Sequence, residues 1–198
     1  IYEITFKNHI QLGFLCLTLI EDFIENKIKA HEKIYENRMK ERADQMHNIQ
    51  TQIGPIYVSY KSNIEIQKLL SSCTKVTPDY DFSSFDGSIH KLWCIKDTNF
   101  HQLIINKFKF IDSLYIADGH HRMGAMTLIA DIYKKDKKTF NNVMIAAFPT
   151  DQSKIYDYNR VVKDLNGLTE KSFLDLLSND FEVNLENKVF KPSKKNQF

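Results

Sequence analysis

The stretch LYIADGHHRMGAM, residues 114–126, holds a carboxylate, a glycine, two adjacent histidines and an arginine between a short apolar run and a helix-forming segment. A solvated loop does not need that density of ionisable groups, and such clusters mark functional sites. The order strand, Asp118-Gly119-His120-His121-Arg122, helix is informative. Ligands of open α/β sheets collect at strand-to-helix turns. A helix N-terminus offers free N–H groups and partial positive charge, a seat for phosphate. Gly119 permits a tight turn or a close approach. Arg122 can grip two oxyanion oxygens with its planar fork. His120 or His121 can donate a hydrogen bond or move a proton near neutral pH. Asp118 can cap the helix, hold a metal ion or steer a hydroxyl. The bland alternative is a capped helix with an ordinary first-turn arginine. Five such residues together favour a site.

Other segments add candidates. KAHEKIYENRMKER carries His31, Glu32, Arg38, Glu41 and Arg42. A charge-paired solvated helix explains it by itself. Its functional reading makes Glu32 a general base and the arginines an anion clamp. DGSIHKLW puts His90 and Trp93 at odd separation on a strand, hence on opposite faces, with Trp93 as core. DYNRVVKDLNG holds Asn159 and Arg160, and Arg160 among apolar residues needs an internal carboxylate or a ligand phosphate. Zinc fits less well. Adjacent histidines diverge, HExxH is absent, and His9, His31, His47, His90 and His101 show no ligand spacing. No GxxxxGK[ST] loop occurs either.

The elements that must position these groups alternate. Residues 11–19 read as a strand and 20–29 as a helix with Ile20, Phe23, Ile24 and Ile28 at helical spacing. A polar helix follows over 37–50, then the strand GPIYVSY and the helix NIEIQKLLSSC with Ile64, Ile66, Leu69 and Leu70 inward. Asp86-Gly87 marks a turn between β-like runs, IHKLWCI is a strand, and Asp97 caps a helix bearing Phe100, Leu103, Ile104 and Phe108 on one face. SLYIA is a strand before a helix that follows Arg122, NVMIAAFPT a central strand, KIYDYNRVVK another strand, TEKSFLDLLSNDF a helix and FEVNL an edge strand. The class is α/β (α+β), a mixed β-sheet with flanking helices. One domain over 1–190 is expected, with a basic tail at 191–198.

Composition bounds the function. The chain has 198 residues, 42% hydrophobic, with a net charge of +2. That balance argues against a dedicated nucleic-acid binder, though not against a pocket for a small anion. Three widely spaced cysteines without CxxC point to free thiols and a cytoplasmic setting. LGFLCLTLI is too short to span a bilayer and runs straight into Glu21 and Asp22. No membrane partner is expected, and the oligomeric state stays open. The first residue is Ile1, so the chain reads as a piece of a longer protein.

YIADGHHR at 115–122 resembles the hallmark of a family catalogued as domain of unknown function number one thousand and fifteen, often grouped with ParB relatives. DGSIHKLWCI, GPIYVSY, the His31-Glu32 pair and YNRVVKDLNGLTEKSFLDLL are similar to its other motifs, so the resemblance covers nearly the whole chain. Departures are Ile34 where the family carries Thr, Arg38 for Lys, Met39 for an acid, Glu41 for Asp, and Met123 where an aromatic is common. The resemblance implies a ParB/sulfiredoxin-like core whose Gly-x-His-Arg turn binds nucleotide or phosphate. Some members are free L-serine kinases using ADP, ATP or pyrophosphate.

On that basis the expected activity is phosphoryl transfer from pyrophosphate or a nucleotide to a small hydroxylated metabolite, with free L-serine as acceptor. Glu32, Asp118, His120 and His121 would be catalytic. Gly119, His121, Arg122, Arg160 and Arg42 would bind phosphate, and His31, His90 and Asn159 the substrate. Mg²⁺ near Asp118 would offset phosphate charge. The rivals are a non-catalytic nucleotide-binding module of ParB-like type and a metal-dependent hydrolase.

Overall fold

The computed structural model describes residues 1–135, 140–156 and 161–188. By internal contacts the chain divides into two compact units, Ile1–Lys154 and Ile155–Phe198. The first holds an eight-stranded sheet in the order β3-β7-β4-β8-β2-β1-β6-β5. The strands are β1 (Tyr2–Phe6), β2 (His9–Leu19), β3 (Ile28–Lys29), β4 (Ile56–Tyr60), β5 (Tyr80–Ser83), β6 (Ile89–Leu92), β7 (Leu114–Asp118) and β8 (Asn142–Pro149). The helices of this unit are α1 (Ile20–Ile24), α2 (Glu36–Ile49), α3 (Ile64–Cys73), α4 (Thr98–Phe108) and α5 (His120–Lys135). β4 runs parallel to β8 and antiparallel to β7, β3 is parallel to β7, and the remaining pairs are antiparallel. This is a mixed α/β fold, a sheet flanked by helices, as the alternation in the sequence predicts.

Period-two burial shows why. Val143, Ile145 and Ala147 of β8, with Ile56, Val58 and Tyr60 of β4, turn one face of the sheet into the core. Against it pack Ala43 and Met46 of α2, Ile66 and Leu70 of α3, and Met123, Met126 and Ile129 of α5. Phe14, Tyr60 and Phe108 meet edge-on, with both other rings 5.0 Å from Phe108. Asp97 caps α4 as expected, accepting from the N–H of Asn99, and Asn63 caps α3 by accepting from those of Glu65 and Ile66. Gly87, in the left-handed region at φ 81°, turns β5 into β6.

Several expectations need correction. The 20–29 segment is helical only to Ile24; Asn26 turns left-handed at φ 61° and Ile28 enters β3 beside β7, 1% exposed. A short strand against a buried neighbour outcompetes the helical spacing there. Ile64 is 68% exposed and Leu103 48%, because the faces of α3 and α4 that meet the sheet are narrower than their apolar stripes. β1 precedes the first strand that the pattern reveals. Helix α5 begins at His120, not after Arg122, so both histidines and the arginine form its first turn.

In the second unit, α6 (Glu170–Leu177) is capped by Thr169, as TEKSFLDLL suggests. FEVNL forms no strand, and neither do residues 154–156 and 161–163 of the expected KIYDYNRVVK strand. Residues 157–160 of that segment lie outside the described residues. Among the described residues no helix is long and apolar enough to cross a membrane.

Candidate functional site

β7 delivers Asp118 to its C-terminal end, Gly119 makes the turn, and α5 starts at once. Gly119 has φ +100°, a conformation costly for any residue with a Cβ. The side chain of Arg122 folds back over it. A Cβ at Gly119 would lie 3.1 Å from Nε and 3.2 Å from Cζ of that arginine. One guanidinium nitrogen donates to the Asp118 carboxylate and another to the Pro55 carbonyl at the start of β4. The arginine side chain keeps 24% of its exposure and the aspartate 73%, so this acid stands in solvent rather than inside the core. Asp118 therefore serves Arg122. The N–H groups of the first turn have no partner within the helix.

The two histidines sit differently. His120 is buried, 3% exposed. Its Nε2 accepts from the N–H of His31 at 3.4 Å, and its Nδ1 lies 3.3 Å from the Glu32 carboxylate. A neutral ring accepting at Nε2 must carry its proton on Nδ1, facing Glu32. Burial first, then the neighbouring His31, lowers the His120 pKa, which keeps the ring neutral. The rings of His31 and His120 meet edge-on at 4.5 Å. His121 is more open. Its Nε2 accepts from the N–H of Tyr35 at 3.2 Å, and its ring stacks on Tyr35 at 5.9 Å. Arg38 lies 5.8 Å from the same tyrosine ring. Tyr35 and Pro55 are the participants that residue-type reasoning missed; the only signals for them are their places beside His31-Glu32 and in the GPI run.

Gly124, one turn further along α5, explains how the 31–39 segment comes so close. A Cβ there would lie 3.0 Å from Met39 Sδ and 3.1 Å from Ile34 Cγ2. The two positions that depart from the family pattern to apolar residues are thus packed on the helix that carries the turn.

The structure brings Glu32, His31, His120 and His121 together around the start of α5, with Asp118, Gly119 and Arg122 in the same turn. Arg42 is exposed on α2 with its guanidinium 3.5 Å from Gln45 Oε1; among the described residues no hydrogen bond or ion pair ties it to the turn. His90 sits on β6, five places along the sheet from β7. Its ring nitrogens meet the Tyr2 hydroxyl and Ser88 Oγ, each at 2.7 Å. Asn159 and Arg160 lie outside the described residues. Among the described residues no group of three or more His, Cys, Asp or Glu side chains is arranged to hold a metal ion. The Asp118 carboxylate is engaged by the Arg122 guanidinium.

The profile of one protein family, described as "protein of unknown function (DUF1015)", matches residues 1–198. The chain belongs to the DUF1015 family. YIADGHHR, the motif on which the resemblance chiefly rests, is the turn just described. No curated protein matches the chain, and no solved structure does. Within this DUF1015 chain, the assembly of Glu32 on His120 beside Arg122 is the feature with chemical potential.

Proposed function

We propose that this DUF1015 protein is a small-molecule phosphotransferase, moving a phosphoryl group from pyrophosphate or a nucleotide to the hydroxyl of free L-serine. One observation carries the reading. The Glu32 carboxylate, 53% exposed, is held 3.3 Å from Nδ1 of the buried His120, in the first turn of the helix that also carries Arg122. A solvent-facing carboxylate braced by a neutral imidazole suits a general base. A helix start with an arginine suits the transferring phosphoryl group.

In this scheme Glu32 takes the serine hydroxyl proton as the new O–P bond forms and the donor's bridging P–O bond breaks. That oxygen leaves with the rest of the donor, as phosphate from pyrophosphate or on the shortened nucleotide. Arg122 and the N–H groups of residues 120–122 hold the phosphoryl oxygens, and an incoming oxyanion takes up the guanidinium edge that Asp118 occupies. His120 positions Glu32, since both of its nitrogens are engaged. His121, the more open of the pair, faces the ligand. Mg²⁺, with Asp118 as its protein carboxylate, would neutralise charge on the donor phosphates. Positioning and electrostatics supply most of the rate. A cytoplasmic setting accords with this substrate class and with three free cysteines.

A second reading, a phosphate- or nucleotide-binding module without turnover, is favoured by one feature. Ile34 and Met39 pack apolar groups against Gly124 of α5 at positions where the family pattern carries polar residues. Both readings meet the same experiment. The protein is incubated with L-serine, Mg²⁺ and pyrophosphate, ATP or ADP, and phosphoserine is followed by phosphorus NMR. Product that disappears in Glu32→Gln and Asp118→Asn supports the kinase. Donor binding by calorimetry without product establishes the module instead.

A further inference from the structure

A cavity lies apart from the turn and calls for a different ligand. It occupies about 600 Å³ between the last turn of α2, the middle of α5 and the start of β8. That volume falls within the range of small-molecule sites. Among the described residues its lining contains no Asp, Glu, Lys or Arg. An anion such as pyrophosphate finds no counter-charge among the described lining residues, and none of them belongs to the 118–122 turn.

Its walls are specific. Three of the chain's five methionines, Met46, Met126 and Met144, line it. Thioethers are polarisable and make favourable contacts with aromatic rings. The amides beside them are already committed to holding the walls. Gln52 takes the place of a strand neighbour for Met144, accepting from its N–H and donating to its carbonyl, both at 2.8 Å. Gln50, left-handed at the end of α2, donates to the His47 carbonyl at 2.6 Å and to the Tyr133 hydroxyl at 2.7 Å. His47 differs: it lines the cavity, yet its Nδ1 is buried with no hydrogen-bond partner among the described residues. A buried nitrogen without a partner costs free energy that a bound donor would recover. Donation to that nitrogen requires the ring to turn about its Cβ–Cγ bond so that Nδ1 faces the cavity.

We propose that this cavity binds an uncharged, flat heteroaromatic molecule, its ring faces against the methionine thioethers and a ring N–H or O–H donated to His47. The site is independent of the phosphotransferase reading and stands or falls separately.

The methionines provide the test. The full chain is labelled with ¹³C at the methionine methyls and titrated with indole and, as a charged control of similar size, benzoate. Indole is expected to shift Met46, Met126 and Met144 and leave Met39 and Met123 unmoved, with a dissociation constant below about 1 mM. Benzoate is expected to shift none of them. Leu17→Trp, on a rim residue 66% exposed, blocks the mouth and weakens indole at least about tenfold. His47→Phe keeps the wall and removes the acceptor, with a loss of about tenfold. Unmoved Met39 and Met123 signals establish that each variant is folded. The proposal is overturned by cavity methyls that stay silent at about 5 mM indole, well above any useful affinity. It is overturned equally by five methyls moving together, by benzoate binding as tightly as indole, or by Leu17→Trp leaving the titration unchanged.

Discussion

Gly119→Ala probes the oxyanion turn most directly, because two separate penalties meet there. The backbone sits at φ +100°, where a Cβ costs on the order of 1–3 kcal/mol. The new methyl would also lie 3.1–3.2 Å from Nε, Cζ and Nη2 of Arg122. A free arginine would swing away, but this one is pinned by Asp118 and by the Pro55 carbonyl. Shifting it by a few tenths of an ångström weakens charge-assisted hydrogen bonds, each worth about 1.5–3 kcal/mol when whole, so about 1 kcal/mol is lost there. The total is about 2–4 kcal/mol, or a fall of roughly 4–16 °C in Tm for a unit of this size.

Gly87→Ala isolates the first penalty. Gly87 also has positive φ, 81°, but a Cβ there meets nothing within 4 Å. That variant should cost about 1–2 kcal/mol. The excess in Gly119→Ala belongs to Arg122, and a double-mutant cycle with Arg122→Ala should return a coupling of about 1 kcal/mol. Thermal and urea melts give the stabilities. Calorimetry with pyrophosphate gives the second readout, a loss of about tenfold in Gly119→Ala and none in Gly87→Ala. Equal costs for the two glycines, with zero coupling to Arg122, would refute a guanidinium folded over Gly119 and remove the basis for an oxyanion seat.

Two further outcomes are expected. The lowered pKa of His120 means the unfolded chain takes up a proton there that the native chain refuses. The stability it contributes is present above about pH 6.5 and is lost as the pH falls below that value, and His120→Gln should flatten this limb in melts between about pH 5 and 7.5. Asn63→Ala removes the side-chain acceptor for two N–H groups at the start of α3 and should cost about 1 kcal/mol in urea melts without changing anion affinity.

The alternation of strands and helices, the Asp97 cap, the Asp86-Gly87 turn and the 118–122 turn were all legible in the residues alone. Each rests on local chemistry: period-two or helical spacing of apolar side chains, a cap within three residues, a glycine where the chain must turn. Tertiary structure decided the rest. Ile28 left a helical pattern for β3 because a buried strand edge was available beside β7. His120 meets His31, 89 residues away, and Arg122 finds the Pro55 carbonyl 67 residues away. Spacing along a chain carries no record of such partners, because strand order chooses which loops meet. The methionine-lined cavity arises in the same way: its walls come from separate elements and exist only once they are packed together.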